Sequence, residues 1–265
     1  MMKTIILAAG QGTRLRPLTD FCPKCMVEVN GKSIIERQLS VMHNCGIEDK
    51  DITIVAGYCS EVLKERLKNT AIQVIVNEEF ENTNMVCSLM CAKQVLDTTD
   101  DILISYGDII YEESVLNRIL DSKDTAAVIV DDGWYEYWSE RCDNPLDDAE
   151  TLIYDTNDCL VEIGQKTTEL GKVQSQYIGL MRFQKEGIKE LLSTVEEAQN
   201  RTKENKPLWR TTRIYDKMYM TDLLQGMIDE GYRLKAVHIN RGWFEIDDCD
   251  DLRIVEEQLK HILCP

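Results

Sequence analysis

Five short apolar runs, at 3–8 (KTIILA), 52–56 (ITIVA), 72–76 (IQVIV), 102–106 (ILISY) and 126–130 (AAVIV), show no in–out alternation. Strands buried on both faces read this way, because a parallel sheet carries helices on each side, whereas a sheet with one wet face alternates polar and apolar residues. Helical periodicity fills the gaps at 60–68, 85–96 and 112–120. The first helix is marked more sharply: Ser33-Ile-Ile-Glu36 has capping-box spacing, Ile35, Leu39 and Met42 recur at helical intervals, and Gly46 offers a stop. The fold class this predicts is α/β, a Rossmann-like mixed, mostly parallel sheet flanked by helices.

After residue 131 the rhythm changes. TLIYDTNDCLVEIG predicts a hairpin turning at Thr156 to Asp158, VQSQYIGLMRF a strand, EGIKELLSTVEEAQN a helix and NRTKENKPLWRTTR a polar linker. A helix at 216–229, a strand at 233–239, the segment GWFEIDDCDD and a helix from about 250 complete the pattern. The expectation is one domain over 1–265, with a small lobe at about 131–215.

Composition narrows the function. No apolar run approaches the roughly 20 residues of a membrane-spanning helix, and the first residues lead into a strand with no small-residue cleavage site, so no membrane role and a cytoplasmic location are expected. The ten cysteines are scattered through predicted strands and helices, which implies a reducing compartment. Cys22 and Cys25 form a CxxC, but no second pair follows, so zinc or redox chemistry is disfavoured against ordinary small apolar packing. The net charge of −17 argues against nucleic acid as a partner. Residues 1–37 nevertheless carry +3, from Lys3, Arg14, Arg16, Lys24, Lys32 and Arg37 against Asp20, Glu28 and Glu36. An anion, if one is handled, is handled there.

The segment that follows the first strand, ILAAGQGTRLRPLTDFCPKC, fits neither common phosphate loop. A dinucleotide fingerprint needs a third glycine where Leu15 stands, and a P-loop needs a GK[ST] where Arg14-Leu15-Arg16 stands. What remains is a loop whose glycines admit an anion to backbone N–H groups, followed by Arg14 and Lys24, a forked donor and a point charge suited to polyphosphate. Both this loop and Asp108 fall after carboxyl ends of predicted strands, where ligands bind in such sheets.

LAAGxGTRLxPLT…PK resembles the signature loop of the sugar-phosphate nucleotidyltransferase superfamily. Ser105-Tyr106-Gly107-Asp108 resembles its "GD" metal site, and Trp243-Phe-Glu-Ile-Asp247-Asp248 its second acidic site. The "EID" form, WxxxWxxRxxNPLxDAET and QYIGLMRF are most similar to the phosphocholine cytidylyltransferase-like branch, which acts on phosphocholine, 2-aminoethylphosphonate and other phosphorylated amino compounds. The resemblance implies the nucleotide-diphospho-sugar transferase fold, Mg²⁺ held by Asp108 and Asp247, and CTP as donor. Period two puts Glu245 and Asp247 on one face and Asp248 on the other.

In that frame the catalytic set is Arg14, at the β,γ-phosphates, Lys24, at the α-phosphate, and the metal ligands Asp108 and Asp247. The nucleotide is expected along the backbone of Leu7, Ala8, Ala9 and Gly10, with Gly12, Thr13 and Gly107. Asn82, Thr83, Asn84 and Ser88 either read the base edge or cap a helix. For the acceptor, Trp134 and Trp138, with Tyr135 and Tyr137, lie among Asp131, Asp132 and Glu136, a composition suited to an ammonium group or to a core. Glu162, Lys166, Gln176, Tyr177 and Glu245 complete the acceptor set, with Lys166 a partner for the phosphate or phosphonate. Homo-oligomerisation is left open. Two other functions compete: a UTP- or dTTP-dependent sugar-1-phosphate nucleotidyltransferase, and a regulatory nucleotide-binding subunit without turnover. Neither needs an acidic, aromatic lobe, and a sensor does not need both metal carboxylates.

Overall fold

The computed structural model describes residues 2–263, and the side chains of residues 2–259. Among the described residues the strands are β1 (Lys3–Ala8), β2 (Glu28–Val29), β3 (Lys32–Ser33), β4 (Ile52–Ala56), β5 (Gln73–Val76), β6 (Asp101–Tyr106), β7 (Ile109–Tyr111), β8 (Ala126–Asp131), β9 (Glu150–Tyr154), β10 (Leu160–Lys166), β11 (Gln176–Gln184), β12 (Lys235–Ile239) and β13 (Trp243–Glu245). Among them run helices α1 (Ile34–Asn44), α2 (Ser60–Leu67), α3 (Met85–Cys91), α4 (Lys93–Thr98), α5 (Glu113–Leu120), α6 (Trp134–Arg141), α7 (Glu186–Lys203), α8 (Met220–Asp229) and α9 (Cys249–Leu263).

Seven strands form the central sheet in the order β12-β8-β11-β6-β1-β4-β5. β11 runs antiparallel to both of its neighbours and all other pairs are parallel. The apolar runs are buried on both faces as their lack of alternation requires. Ile6 and Ala8 of β1 join a cluster with Ile35, Leu39 and Met42 of α1, while Ile5 and Leu7 join Leu89 of α3 and Leu223 of α8 beneath the other face.

The segment 131–215 contributes to two places. Its hairpin β9–β10 stands apart from the main sheet and packs on α8, whereas β11 lies at the sheet's centre. The register of β11 shifts between Tyr177 and Met181, an irregularity that bends the strand next to the site described below. WYEYWSER forms α6, which carries aromatic side chains into the core. The pattern at 85–96 is divided at Ala92 into α3 and α4. Among the described residues all cysteines are free and Cys25 is buried. No helix among them is long and apolar enough to cross a membrane.

The capping box of α1 is present as the sequence predicts: Ser33 Oγ accepts from the Glu36 N–H, and the Glu36 carboxylate accepts from the Ser33 N–H at 3.0 Å. Arg66 also pairs with Glu36. Burial acts to raise the Glu36 carboxyl, but Arg66 and the Ser33 hydrogen bonds outweigh it and hold it at about 2. A depressed carboxyl adds stability above its unfolded value and loses it as pH falls toward 2. Ser33→Ala is expected to cost about 1 kcal/mol, read as a lower denaturation midpoint with an unchanged m-value, and to flatten the dependence of stability on pH below about 4.5.

Candidate active site

Asp108 follows β6 by one turn, and Glu245 and Asp247 lie more than a hundred residues further on. A two-stranded ladder joins them. β13 pairs antiparallel with β7, setting Glu245 opposite Ile109, and the Ile246 N–H donates to the Asp108 carbonyl at 3.1 Å. The turn carrying Asp108 is fixed from both sides: the Gly107 N–H donates to the Leu7 carbonyl, and Gln38 of α1, almost wholly buried, donates to the carbonyls of Tyr106 and Ile109 at 2.7 and 2.6 Å. A Cβ at Gly107 would stand 2.8 Å from the Leu7 carbonyl oxygen, so only glycine lets this turn close onto β1. As a result, carboxylate oxygens of Asp108, Glu245 and Asp247 all lie within 4.8 Å of one another.

The positive loop meets the same point. Lys24 Nζ donates to Asp108 Oδ2 at 2.8 Å and to Asp247 Oδ1 at 2.5 Å, and Arg14 Nη2 lies 3.0 Å from Asp247 Oδ2. Gly12 has φ +62°, and a Cβ there would press to 2.9 Å on Lys24 Cβ, so the glycine serves the approach of the lysine stem. Burial alone would lower the Lys24 ammonium, but Asp108 and Asp247 reverse that and raise it. Burial acts to raise Asp247, but Lys24, Arg14 and Arg141 hold it below the ordinary carboxylate range. Glu245 goes the other way: burial, then the adjacent Asp247 charge, push its carboxyl up to about 8, against the pull of Arg141.

Two cavities open on this cluster. One, of 190 Å³, is lined by Leu7, Ala9, Gly10, Thr83, Asn84, Ser88 and Asp108, together with Phe80 and Met85. Asn84 caps α3, accepting from the Met85 N–H at 2.8 Å, and also lines the cavity. Ser88 Oγ accepts from Asn77. Ala8 does not line this cavity; its side chain packs into the core, where Gly107 closes over it. Gly12 and Thr13 form the turn that places Arg14 and Lys24 and are likewise outside the wall.

The second cavity, of 220 Å³, is lined by Trp138, Lys166, Gln176, Tyr177, Glu245 and Asp247, and also by Tyr106, Asp148, Glu150, Tyr219 and Trp243. Here the sequence expectations need correction at three residues, Trp134, Tyr137 and Glu162. Trp134 is 4% exposed, packs edge-on against Trp138 and does not reach the cavity. Its neighbour Tyr137 is core as well, packed against Trp243 and Phe244. Glu162 is tied to Arg210 at 2.8 Å, outside the wall, because it lies on β10 four residues from Lys166 across the Gly164 irregularity. Trp138 remains at the cavity with Nε1 donating to Asp148. Asp248 accepts from the N–H groups of Asp250 and Asp251 and so caps α9, which leaves Asp247 as the acid facing the cluster. Two larger depressions, of 470 and 600 Å³, hold none of the three clustered acids.

Residues not singled out from sequence complete the cluster. Arg141, 6% exposed in its side chain, donates to Glu245 at 2.9 Å and to both carboxylate oxygens of Asp251, and Asp251 in turn accepts from the Asp247 N–H. The resembling segment WxxxWxxRxxNPLxDAET contains Arg141 and Glu150, so the signal was present. The donor set also fits a divalent cation. Asp108 Oδ1 is buried with no hydrogen-bond partner, and the group offers only oxygen, the donor that hard cations such as Mg²⁺ take. Asp108, Asp247 and, beyond the sequence expectation, Glu245 would hold it.

Residues 3–132 match the family model described as "Nucleotidyl transferase". A CTP:phosphoglutamine cytidylyltransferase of Campylobacter jejuni is 36% identical over 262 residues, which cover 97% of this chain and 100% of that protein. A choline-phosphate cytidylyltransferase of Streptococcus pneumoniae is 40% identical over 95 residues, covering 36% of this chain and 41% of the other. Among solved structures, the CTP:phosphocholine cytidylyltransferase of Streptococcus pneumoniae superposes with a TM-score of 0.71 at 22% identity, over 97% of this chain and 99% of that one, a likeness of fold. The signature loop, the acid cluster it meets and this full-length similarity together establish that the chain belongs to the nucleotidyl transferase family.

Proposed function

We propose that this protein is a cytidylyltransferase that joins CTP to a small phosphorylated or phosphonylated amino compound. An acceptor phosphate or phosphonate oxygen attacks the α-phosphorus of CTP, the bond from that phosphorus to the bridging oxygen of the β-phosphate breaks, and pyrophosphate leaves. The observation that carries the reading is that the two cavities share the acid cluster: Asp108 lines one, Glu245 and Asp247 line the other, and Lys24 bridges Asp108 to Asp247. Cytosine preference rests on the full-length similarity to the CTP-using enzyme of Campylobacter jejuni.

The chain's own groups divide the work. The backbone of Leu7, Ala9 and Gly10, with Asn84 and Ser88, holds the nucleoside, and Arg14 meets the leaving phosphates. Lys24 is positioned to turn from the carboxylates to the α-phosphate when nucleotide enters, meeting charge that grows in the transition state. The acceptor is already ionised, so no general base is needed and positioning does most of the work. Mg²⁺, when bound, neutralises triphosphate charge and orients the two substrates.

Purified protein with Mg²⁺ and CTP is expected to release pyrophosphate only when a phospho-amine is added, followed by a coupled pyrophosphate assay over a matrix of nucleotides and acceptors. Faster turnover of UTP or dTTP with a sugar 1-phosphate would replace this reading with the sugar-nucleotide one. Nucleotide binding without release from any pair would leave a regulatory subunit.

A further inference from the structure

Glu150 is the first residue of β9, and its cross-strand partner on β10 is Lys166. The backbone of Glu150 is gripped by Gln176, itself 6% exposed: the Glu150 N–H donates to Gln176 Oε1 at 3.3 Å and its carbonyl accepts from Gln176 Nε2 at 2.6 Å. Gly164, at φ +79°, lets β10 press against Thr221; a Cβ there would meet Thr221 Cβ at 2.5 Å and stand 3.5 Å from Glu150 Oε2. The backbone that carries the carboxylate is thus fixed by Gln176 of β11, and Glu150 lines the cavity that also exposes Trp138, Tyr177 and Tyr219.

Its carboxylate makes no ion pair within bonding distance among the described residues. Arg213 is committed to Asp222 at 3.0 Å, and Lys166 Nζ donates to the Asp148 carbonyl at 2.9 Å. No group among the described residues donates a hydrogen bond to the Glu150 carboxylate. Burial pushes the Glu150 carboxyl up to about 7, and the facing groups pull both ways, Lys166 and Arg213 down and Asp222 and Asp148 up. A half-buried carboxylate without a donor is costly unless a cation arrives to meet it. Lys166, whose ammonium among the described residues donates to one neutral carbonyl, is the matching cation. Glu150 and Lys166 are opposed across the hairpin and line the same cavity, so an acid and a base face one ligand space.

We propose that Glu150 and Lys166 read the two charges of an amino-acid end on the acceptor, Glu150 binding the ammonium and Lys166 the carboxylate, with Trp138 and Tyr177 packing beside them. This rests on the cytidylyltransferase reading and deepens it: the acceptor is a phosphorylated amino acid, and a quaternary ammonium, which has no N–H to donate to Glu150, is the poorer ligand. Lys166 then serves the carboxylate, in place of the phosphate expected from sequence.

The experiment compares phosphoserine, phosphoethanolamine, phosphocholine and phosphoglycolate as acceptors for the wild type, Glu150→Gln and Lys166→Met, by kinetics and by calorimetric binding. Charge-assisted hydrogen bonds of this kind correspond to about 10- to 100-fold in affinity. Wild type is expected to rank phosphoserine first. Glu150→Gln should raise the KM for phosphoserine and phosphoethanolamine by that factor, with phosphoglycolate and CTP within twofold. Lys166→Met should affect phosphoserine and phosphoglycolate and spare phosphoethanolamine. Equal effects of each variant on all acceptors, or none, would overturn the assignment. Calorimetry separates the two levels: phosphoserine binding that depends on Glu150 without any cytidylyl transfer would remove the proposed reaction and keep the pocket, whereas transfer with unaltered acceptor ranking would do the reverse.

Discussion

Asp108→Asn is expected to lower kcat for pyrophosphate release by about 10²- to 10³-fold, the loss typical of removing one preorganised electrostatic partner of a transition state. The substitution replaces one carboxylate oxygen with an NH₂ group, which presents hydrogen to Lys24 and to any cation, where Oδ2 now accepts at 2.8 Å and Oδ1 is buried without a donor. The fold has little reason to respond. The ladder that brings β13 to this point uses the Asp108 carbonyl, through the Ile246 N–H, and Gln38 grips the neighbouring carbonyls of Tyr106 and Ile109. None of these bonds involves the side chain. Thermal melting without ligand should therefore stay near wild type, while the upward shift of the melting point produced by Mg²⁺ with CTP should shrink, since a ligand stabilises only the state it binds. Turnover within tenfold of wild type would remove Asp108 from the reacting centre.

The same residue shows what a sequence of this kind discloses. Position after a buried strand pointed to Asp108, and capping-box spacing pointed to α1, because both are local signals carried by a few neighbouring residues. The parallel sheet was legible for the same reason: Ile5, Ile6, Ile54 and Leu103 lie in continuous apolar runs, and double-sided burial needs no knowledge of partners. β11 is different. Its apolar content marks a strand, but its antiparallel seat between β6 and β8 is a long-range choice that no local pattern encodes. Aromatic density around Trp134 was ambiguous because a cage and a core have the same composition, and burial against Trp138 decides for core. Glu162 and Glu150 illustrate the limit in a hairpin. Both are acidic and both sit on the β9–β10 ribbon, yet Glu162 is drawn to Arg210 while Glu150 faces the cavity, because strand irregularity at Gly164 resets which side chains point inward. Arg141 stands in the quoted WxxxWxxRxxNPLxDAET segment, yet its role was not legible for a related reason: its partners, Glu245 and Asp251, are about a hundred residues away and meet it only when α6 packs on α9.

Arg141→Met is expected to destabilise the protein by about 3–5 kcal/mol, the cost of removing one partner from a buried ion pair and leaving the other charge without compensation. Asp251, 6% exposed in its side chain, would lose both bonds of a forked guanidinium contact, and Glu245 would lose its bond at 2.9 Å. The planar group also lies over the rings of Tyr137 and Trp138, 5.3 and 5.2 Å from their centroids, a packing that an unbranched apolar chain replaces only in part. At roughly 2–4 °C per kcal/mol for a chain of this order of size, the melting point should fall by roughly 6–20 °C. Activity should fall further than the folded fraction does, because Asp251 accepts from the Asp247 N–H and so holds the loop on which Asp247 meets Lys24. Arg141→Lys keeps the charge but cannot fork to both oxygens of Asp251, and is expected to fall between the two. Adding Asp251→Asn to Arg141→Met should recover part of the lost stability, since the uncompensated charge is then gone, but not the lost turnover, since the loop remains without its anchor. A melting point for Arg141→Met within 2 °C of wild type would mean that the buried guanidinium is not what holds α6, β13 and the start of α9 together.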